Sequence, residues 1–306
     1  MAEPRSSENR PINLRWEARV HPVLKRILAS TIVLSTQSTG EPGEFHQLPA
    51  DIETVVCGLK EPFFFWLWSF AAGKPSPARI AGLANIEEIA LETADSRTLR
   101  GYKLRATLTG HQRHQPAGYL LVVQGNAMLS DQIITSFSGL ADSGYDVFIF
   151  DYRGYGRSEG KRRLKAILHD YREIIEYLDS HSYANRAFYG LSLGGVILLD
   201  AIRKRSTGAR VVIDSAPSRL SDYGCPEQHD PVNTLPKDAT GFLVITGARD
   251  TVVPPAMSDE LSKKARRQGA RTLHHADFGH PFMDGFTKQR MAILREFLTG
   301  KATGID

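Results

Sequence analysis

A serine flanked on both sides by glycine at a spacing of two, Gly190-Leu191-Ser192-Leu193-Gly194, is the pattern in this chain best suited to covalent chemistry. A serine hydroxyl is a weak nucleophile until a base takes its proton. The glycines allow a turn tight enough to lift that hydroxyl clear of its own backbone. Ala187-Phe188-Tyr189 before it reads as a strand, and Gly194 to Arg205 after it reads as a helix, the context a nucleophile elbow needs. The helix start also brings main-chain N–H groups that favour developing negative charge beside Ser192.

The base is expected among the ten histidines. His280, in Asp277-Phe278-Gly279-His280-Pro281, follows the last expected strand and precedes the closing helix. His274 and His275 lie within that strand, one directed into packing and one outward. His111, His114, His181 and His229 fall in loops without such a context. Asp250, at the end of the strand Gly241 to Thr246, is the expected acid, because the order serine, acid, histidine fits the elbow architecture. Asp214, closing the preceding strand, is its competitor. For the oxyanion, the expected donors are the main-chain N–H groups of Leu193 and Asn126, with Ala127 as the alternative to Asn126. Gly125, just before Asn126, permits a close backbone approach. The chemistry is acyl transfer. Ser192 attacks a carbonyl, His280 takes and returns the proton, Asp250 orients His280, and water frees the acyl group. That scheme requires no metal and no nucleotide cofactor.

Positioning these residues requires alternating strands and helices. Ile86–Glu92 and Leu99–Ala106 alternate apolar with polar residues and read as an antiparallel pair. Tyr119–Val123 and Asp146–Phe150 are continuous apolar runs of the kind buried on both faces of a parallel sheet. Helices are expected from Ser130 to Ser143, Lys161 to His181, Pro255 to Arg267 and Pro281 to Leu298, with strands at Arg210–Ile213 and Arg271–His275. Residues 215–240, with four prolines, read as an irregular excursion at the position of a short cap. The whole predicts an α/β protein with a mostly parallel, doubly wound sheet flanked by helices.

With 306 residues, 42% hydrophobic and 24% charged, the chain is long enough for a large core and is neither disordered nor fibrous. No 18-residue apolar run suggests a transmembrane helix. The net charge of +4 is too small for a nucleic-acid-binding signature, so no nucleic acid partner is expected. Lys161-Arg162-Arg163-Leu164-Lys165, Arg203-Lys204-Arg205 and the run from Lys263 to Arg267 read as solvated helix faces, with attraction to an anionic lipid or substrate as the alternative. Cys57 and Cys225, the two cysteines, lie far apart in no metal-like spacing and read as reduced thiols. Cytoplasmic placement is therefore expected. The alternative is export or membrane association, since the basic start at His21 to Arg26 runs into the short apolar Ile27–Leu34.

Residues 1–82 read as an N-terminal extension to a catalytic domain at 83–306. Its first ten residues are polar, and Gly40 to Glu44 and Gly73 to Ala78 punctuate it. Between those turns lies Phe63-Phe64-Phe65-Trp66-Leu67-Trp68-Ser69-Phe70, a core helix, a lid over the pocket or a peripheral membrane contact.

Taken with these residues, Asp151-Tyr-Arg-Gly-Tyr-Gly-Arg-Ser-Glu-Gly160, Gly247-Ala-Arg-Asp250 and Gly279-His280 make the chain resemble the α/β-hydrolase superfamily, near its Bem46-like and serine-aminopeptidase or monoglyceride-lipase-like groups. The resemblance covers residues 85–300 and departs at Gln124, where such enzymes usually carry histidine. It implies a serine hydrolase of carboxylic esters or thioesters, with lipid-like acyl groups favoured by the aromatic segment. An acyltransferase using the same triad, and a catalytically silent scaffold, are the alternatives.

Overall fold

In the computed structural model, the described residues are 57–58, 61–107, 115–204 and 208–300. Eight strands form one sheet: β1 (Ile86–Glu92), β2 (Thr98–Leu104), β3 (Gly118–Val123), β4 (Tyr145–Phe150), β5 (Asn185–Leu191), β6 (Arg210–Asp214), β7 (Phe242–Gly247) and β8 (Arg271–His275). Their order is β1-β2-β4-β3-β5-β6-β7-β8. β2 runs antiparallel to both its neighbours, and every pair from β4 through β8 is parallel. The α/β-hydrolase architecture anticipated from the sequence is therefore the one observed.

The apolar runs explain why the parallel strands occupy the middle. Every residue of β3, β4 and β7 is buried, as a strand covered by helices on both faces must be. Tyr119, Leu121 and Val123 of β3 face one core cluster, while Leu120 and Val122 face another on the opposite side. The first cluster is closed by α1 (Glu61–Ala71), α2 (Leu164–Asp179), α3 (Leu193–Ile202) and α4 (Pro255–Arg267). The second is closed by the residues 133–141 and by α5 (Thr287–Thr299). α2 places Ile167, Tyr171, Ile174, Ile175 and Leu178 in the core, each large apolar side chain contributing about 1.5–3 kcal/mol.

Two expected helices differ. The stretch from Ser130 is broken into short turns, Ser130–Ile133, Ile134–Phe137 and Ser138–Ala141. The adjacent β-branched residues Ile133, Ile134 and Thr135 crowd the backbone there and weaken a continuous helix. The closing helix starts at Thr287 rather than Pro281, because the Asp284 carboxylate takes the N–H groups of Gly279 and Phe286 at 2.9 Å each and folds the segment into a turn.

All described residues fall within one compact unit, Pro49–Asp306, so α1 is packed on the same body as the sheet. It is tied to loops at the carboxyl ends of three strands. Gln132 Nε2 donates to the Ala72 carbonyl at 2.8 Å, and the Leu164 N–H donates to Glu61 Oε1 at 2.6 Å. Cys57, just before α1, is joined in a disulfide to Cys225 in the loop after β6. This corrects the expectation of two reduced thiols. Distance along the chain said nothing about proximity once α1 was laid beside that loop. The runs His21–Leu34 and Gly40–Glu44, the first ten residues, and His111 and His114 lie outside the described residues. Among the described residues, no helix is long and apolar enough to cross a membrane.

Candidate active site

The tight turn between β5 and α3 holds Ser192 at φ 54° and ψ −124°, a conformation that a non-glycine residue adopts only when its surroundings enforce it. The enforcement is visible on either side. A Cβ on Gly194 would lie 2.0 Å from the Val123 carbonyl oxygen, and one on Gly190 would lie 2.8 Å from that of Gly194. Glycine is the residue that fits both. The Ser192 N–H donates to the Asp214 carbonyl at 2.8 Å, anchoring the turn to the end of β6. Ser192 itself is 9% exposed.

Pairing of Val123 with Gly190 carries the chain leaving β3 directly past this turn. A Cβ built on Gly125 would stand 3.6 Å from Ser192 Cβ, so the backbone there runs close to the serine. Ala127 adopts φ 56°, and its N–H is taken by its neighbour's Asn126 Oδ1 at 3.0 Å. Tyr155 OH donates to the same Oδ1 at 2.8 Å. Among the described residues, the main-chain N–H groups of Asn126 and Leu193 have no hydrogen-bond partner. Of the two alternatives in this loop, Asn126 rather than Ala127 thus has its N–H available. Gln124, the departure from the family pattern, is wholly buried. Its Nε2 donates to the Met128 carbonyl at 3.2 Å and its main-chain carbonyl accepts from Tyr152 OH, so the residue braces the loop.

Asp250 and His280 are brought together from the ends of β7 and β8. His280 Nδ1 lies 2.9 Å from Asp250 Oδ2, while Asp250 Oδ1 accepts the N–H groups of Val252 and Val253 at 2.8 Å each. Burial alone would raise the Asp250 carboxyl. The hydrogen bond and charge of His280, with the two valine N–H groups, outweigh it and hold the carboxyl below its ordinary range. Among the described residues, no hydrogen bond joins Ser192 to His280. Contacts of this kind commonly tighten only when substrate is bound.

Asp214, the competing acid, is engaged elsewhere. It meets Arg290 Nη1 at 2.7 and 3.0 Å and accepts from Tyr189 OH at 2.9 Å, entirely out of solvent. Arg290 extends the tie to the histidine turn. Its Nη2 donates to the Gly279 carbonyl at 2.5 Å and to Asp284 Oδ2 at 2.8 Å, and the guanidinium stacks 4.0 Å from the Phe278 ring. The sequence reading passed over Arg290. The signal was an arginine in register with the buried Leu294, Phe297 and Leu298 on the apolar side of α5. Two other histidines have settled structural partners. His274 Nδ1 meets Thr246 Oγ1 at 2.9 Å, and His229 Nδ1 meets Asp200 at 2.9 Å, a carboxylate also held by Arg172.

The sequence model of the family described as Serine aminopeptidase, S33, matches residues 114–228. The protein Rv2307c of Mycobacterium tuberculosis is 25% identical over 279 residues, which are 82% of this chain and 95% of that one. YfhR of Salmonella typhi is 30% identical over 213 residues, 60% of this chain and 70% of that one. Among solved structures, the Pyrococcus furiosus esterase Pf2001 superposes with a TM-score of 0.58 at 17% identity, covering 75% of this chain and 96% of the esterase.

Proposed function

Because the chain belongs to the α/β-hydrolase superfamily, alongside YfhR, we propose that this hydrolase is a serine enzyme cleaving carboxylic esters or thioesters through an acyl-enzyme. The observation that carries the reading is the 2.9 Å contact between Asp250 and His280, on the same sheet edge as the strained turn of Ser192. With Nδ1 committed to Asp250, the imidazole keeps Nε2 for the serine proton. Ser192 Oγ adds to the carbonyl as His280 takes its proton. The carbonyl oxygen becomes an oxyanion facing the N–H groups of Leu193 and Asn126. His280 then returns the proton to the leaving alcohol or thiol. Water, deprotonated by His280, releases the acid and restores Ser192. Asp250, held ionised, stabilises the imidazolium in both half-reactions.

Intact-mass analysis after treatment with a fluorophosphonate tests this. One adduct on the wild type and none on Ser192→Ala is the expected result, followed by turnover across a series of ester and thioester chain lengths. Absence of an adduct on either folded protein would overturn the enzymatic reading in favour of a silent scaffold.

A further inference from the structure

Among the described residues, six of the eight exposed large apolar side chains lie toward one end of the sheet, the other two being Leu83 and Tyr177. Phe63, Trp66 and Phe70 stand 56%, 50% and 70% exposed, at the i, i+3, i+7 spacing that makes a single stripe along α1. Their rings line up, Phe63 to Trp66 at 6.1 Å and Trp66 to Phe70 at 6.0 Å, while Phe65 and Leu67 on the other side anchor the helix in the core. Tyr223 in the loop after β6, Val252 two residues past Asp250 and Met283 three residues past His280 are also exposed. All six lie on α1 or on loops at the carboxyl ends of the parallel strands, where Ser192, Asp250 and His280 reside. A helix face that stands out in this way offers a convex ridge rather than a groove.

Positive charge flanks the ridge. The hydrogen bond from Leu164 to Glu61 sets Arg162 and Arg163 beside the start of α1, and Lys74 follows its end. Arg162 and Arg163 donate to main-chain carbonyls, of Gly154 and Arg162, so these contacts leave their charge uncancelled. Of the acidic neighbours, Glu61 accepts the N–H groups of Leu164 and Cys57, and Glu159 accepts that of Thr98. Aromatic rings with arginine and lysine at either end match the boundary of a bilayer, where rings enter the headgroup level and cations meet anionic lipid.

We propose that α1 docks the protein on an anionic lipid surface with its catalytic edge toward the bilayer. The proposal is independent of which bond Ser192 cleaves, and its test reads binding alone. Full-length Ser192→Ala protein is sedimented with phosphatidylcholine vesicles containing about one-third phosphatidylglycerol, and with phosphatidylcholine alone. Binding to the anionic vesicles that weakens with salt is expected. The combined Phe63→Ser, Trp66→Ser and Phe70→Ser variant should lower the partition coefficient about tenfold or more, since each ring removed is apolar area withdrawn from the interface. Tyr177→Ser, at an exposed apolar residue outside this edge, should bind like its parent, and circular dichroism should match for all three proteins. No binding, equal binding to neutral vesicles or undiminished binding by the triple variant would each overturn the proposal. A dimer in solution that the triple variant dissolves would assign the stripe to self-association instead and overturn it too.

Discussion

Asp214 closes β6 and Asp250 lies in the loop just past the adjacent parallel β7, both buried and both at the end of the sheet that carries Ser192, yet their surroundings differ. At β6 the carboxylate meets a permanent cation, Arg290, and a tyrosine hydroxyl. Burial pushes that carboxyl up against the pull of Arg290, Tyr189 and Ser215. At β7 the carboxylate meets an imidazole and two main-chain N–H groups, and its carboxyl is held down. Position in the sheet is shared, so the partner decides the role. A guanidinium has no proton to exchange near neutral pH, whereas an imidazole does. Asp214 therefore braces: its carbonyl holds the Ser192 turn and its side chain, through Arg290, holds the carbonyl next to His280. Asp250, on the proposed mechanism, is left to orient the imidazole of His280 and to stabilise it once it carries the proton.

The sharpest way to break this contrast is at the β7 aspartate. Asp250→Asn should lower kcat on a chromogenic ester about 10⁴-fold, the size expected when the imidazole loses the group fixing its tautomer. A rate near wild type would move the acid elsewhere and void the division of roles. Next comes the brace. Arg290→Met leaves a carboxylate buried without its ion, and urea unfolding should register a loss of about 3–5 kcal/mol. Asp250→Asn should cost clearly less stability than that.

The smallest effect is one of sign. A carboxyl held below its unfolded value of about 3.9 gives stability that is present above that value and lost as pH falls through the folded one. For Asp250 the stability advantage of wild type over Asp250→Asn should therefore widen as pH rises through the acid range. Asp214, displaced upward, binds more proton folded than unfolded. The wild-type advantage over Asp214→Asn should narrow as pH rises through the interval above 3.9. Unfolding curves on the acid side of neutrality check both slopes, and equal signs would dissolve the distinction.

How far the sequence could be read follows the same divide. The central strands were legible because burial on both faces leaves an unbroken apolar run, and strand followed by Gly190-Leu-Ser-Leu-Gly194 carries its geometry in its glycines. Asp250 and His280 were legible by their place at the ends of β7 and β8. Arg290 was not, since an arginine in a helix reads as surface until its partners on another strand are known. The disulfide escaped for a related reason: pairing depends on where α1 lies, and an all-round apolar run fixes no direction for a helix. The exposed stripe of α1 was hidden by that same uniformity, because Phe63 and Phe65 look alike in sequence and are opposite in the fold.

The bond between Cys57 and Cys225, 168 residues apart, also divides the chemistry topologically. It closes the polypeptide into a covalent ring, and Ser192 and the loop bearing Asn126 are beads on that ring. Asp250 and His280 hang on the open tail beyond it. A single peptide bond cut inside the ring leaves one molecule, its two ends still held by sulfur. One cut between Cys225 and Asp250 severs the covalent link between Ser192 and the pair Asp250 and His280.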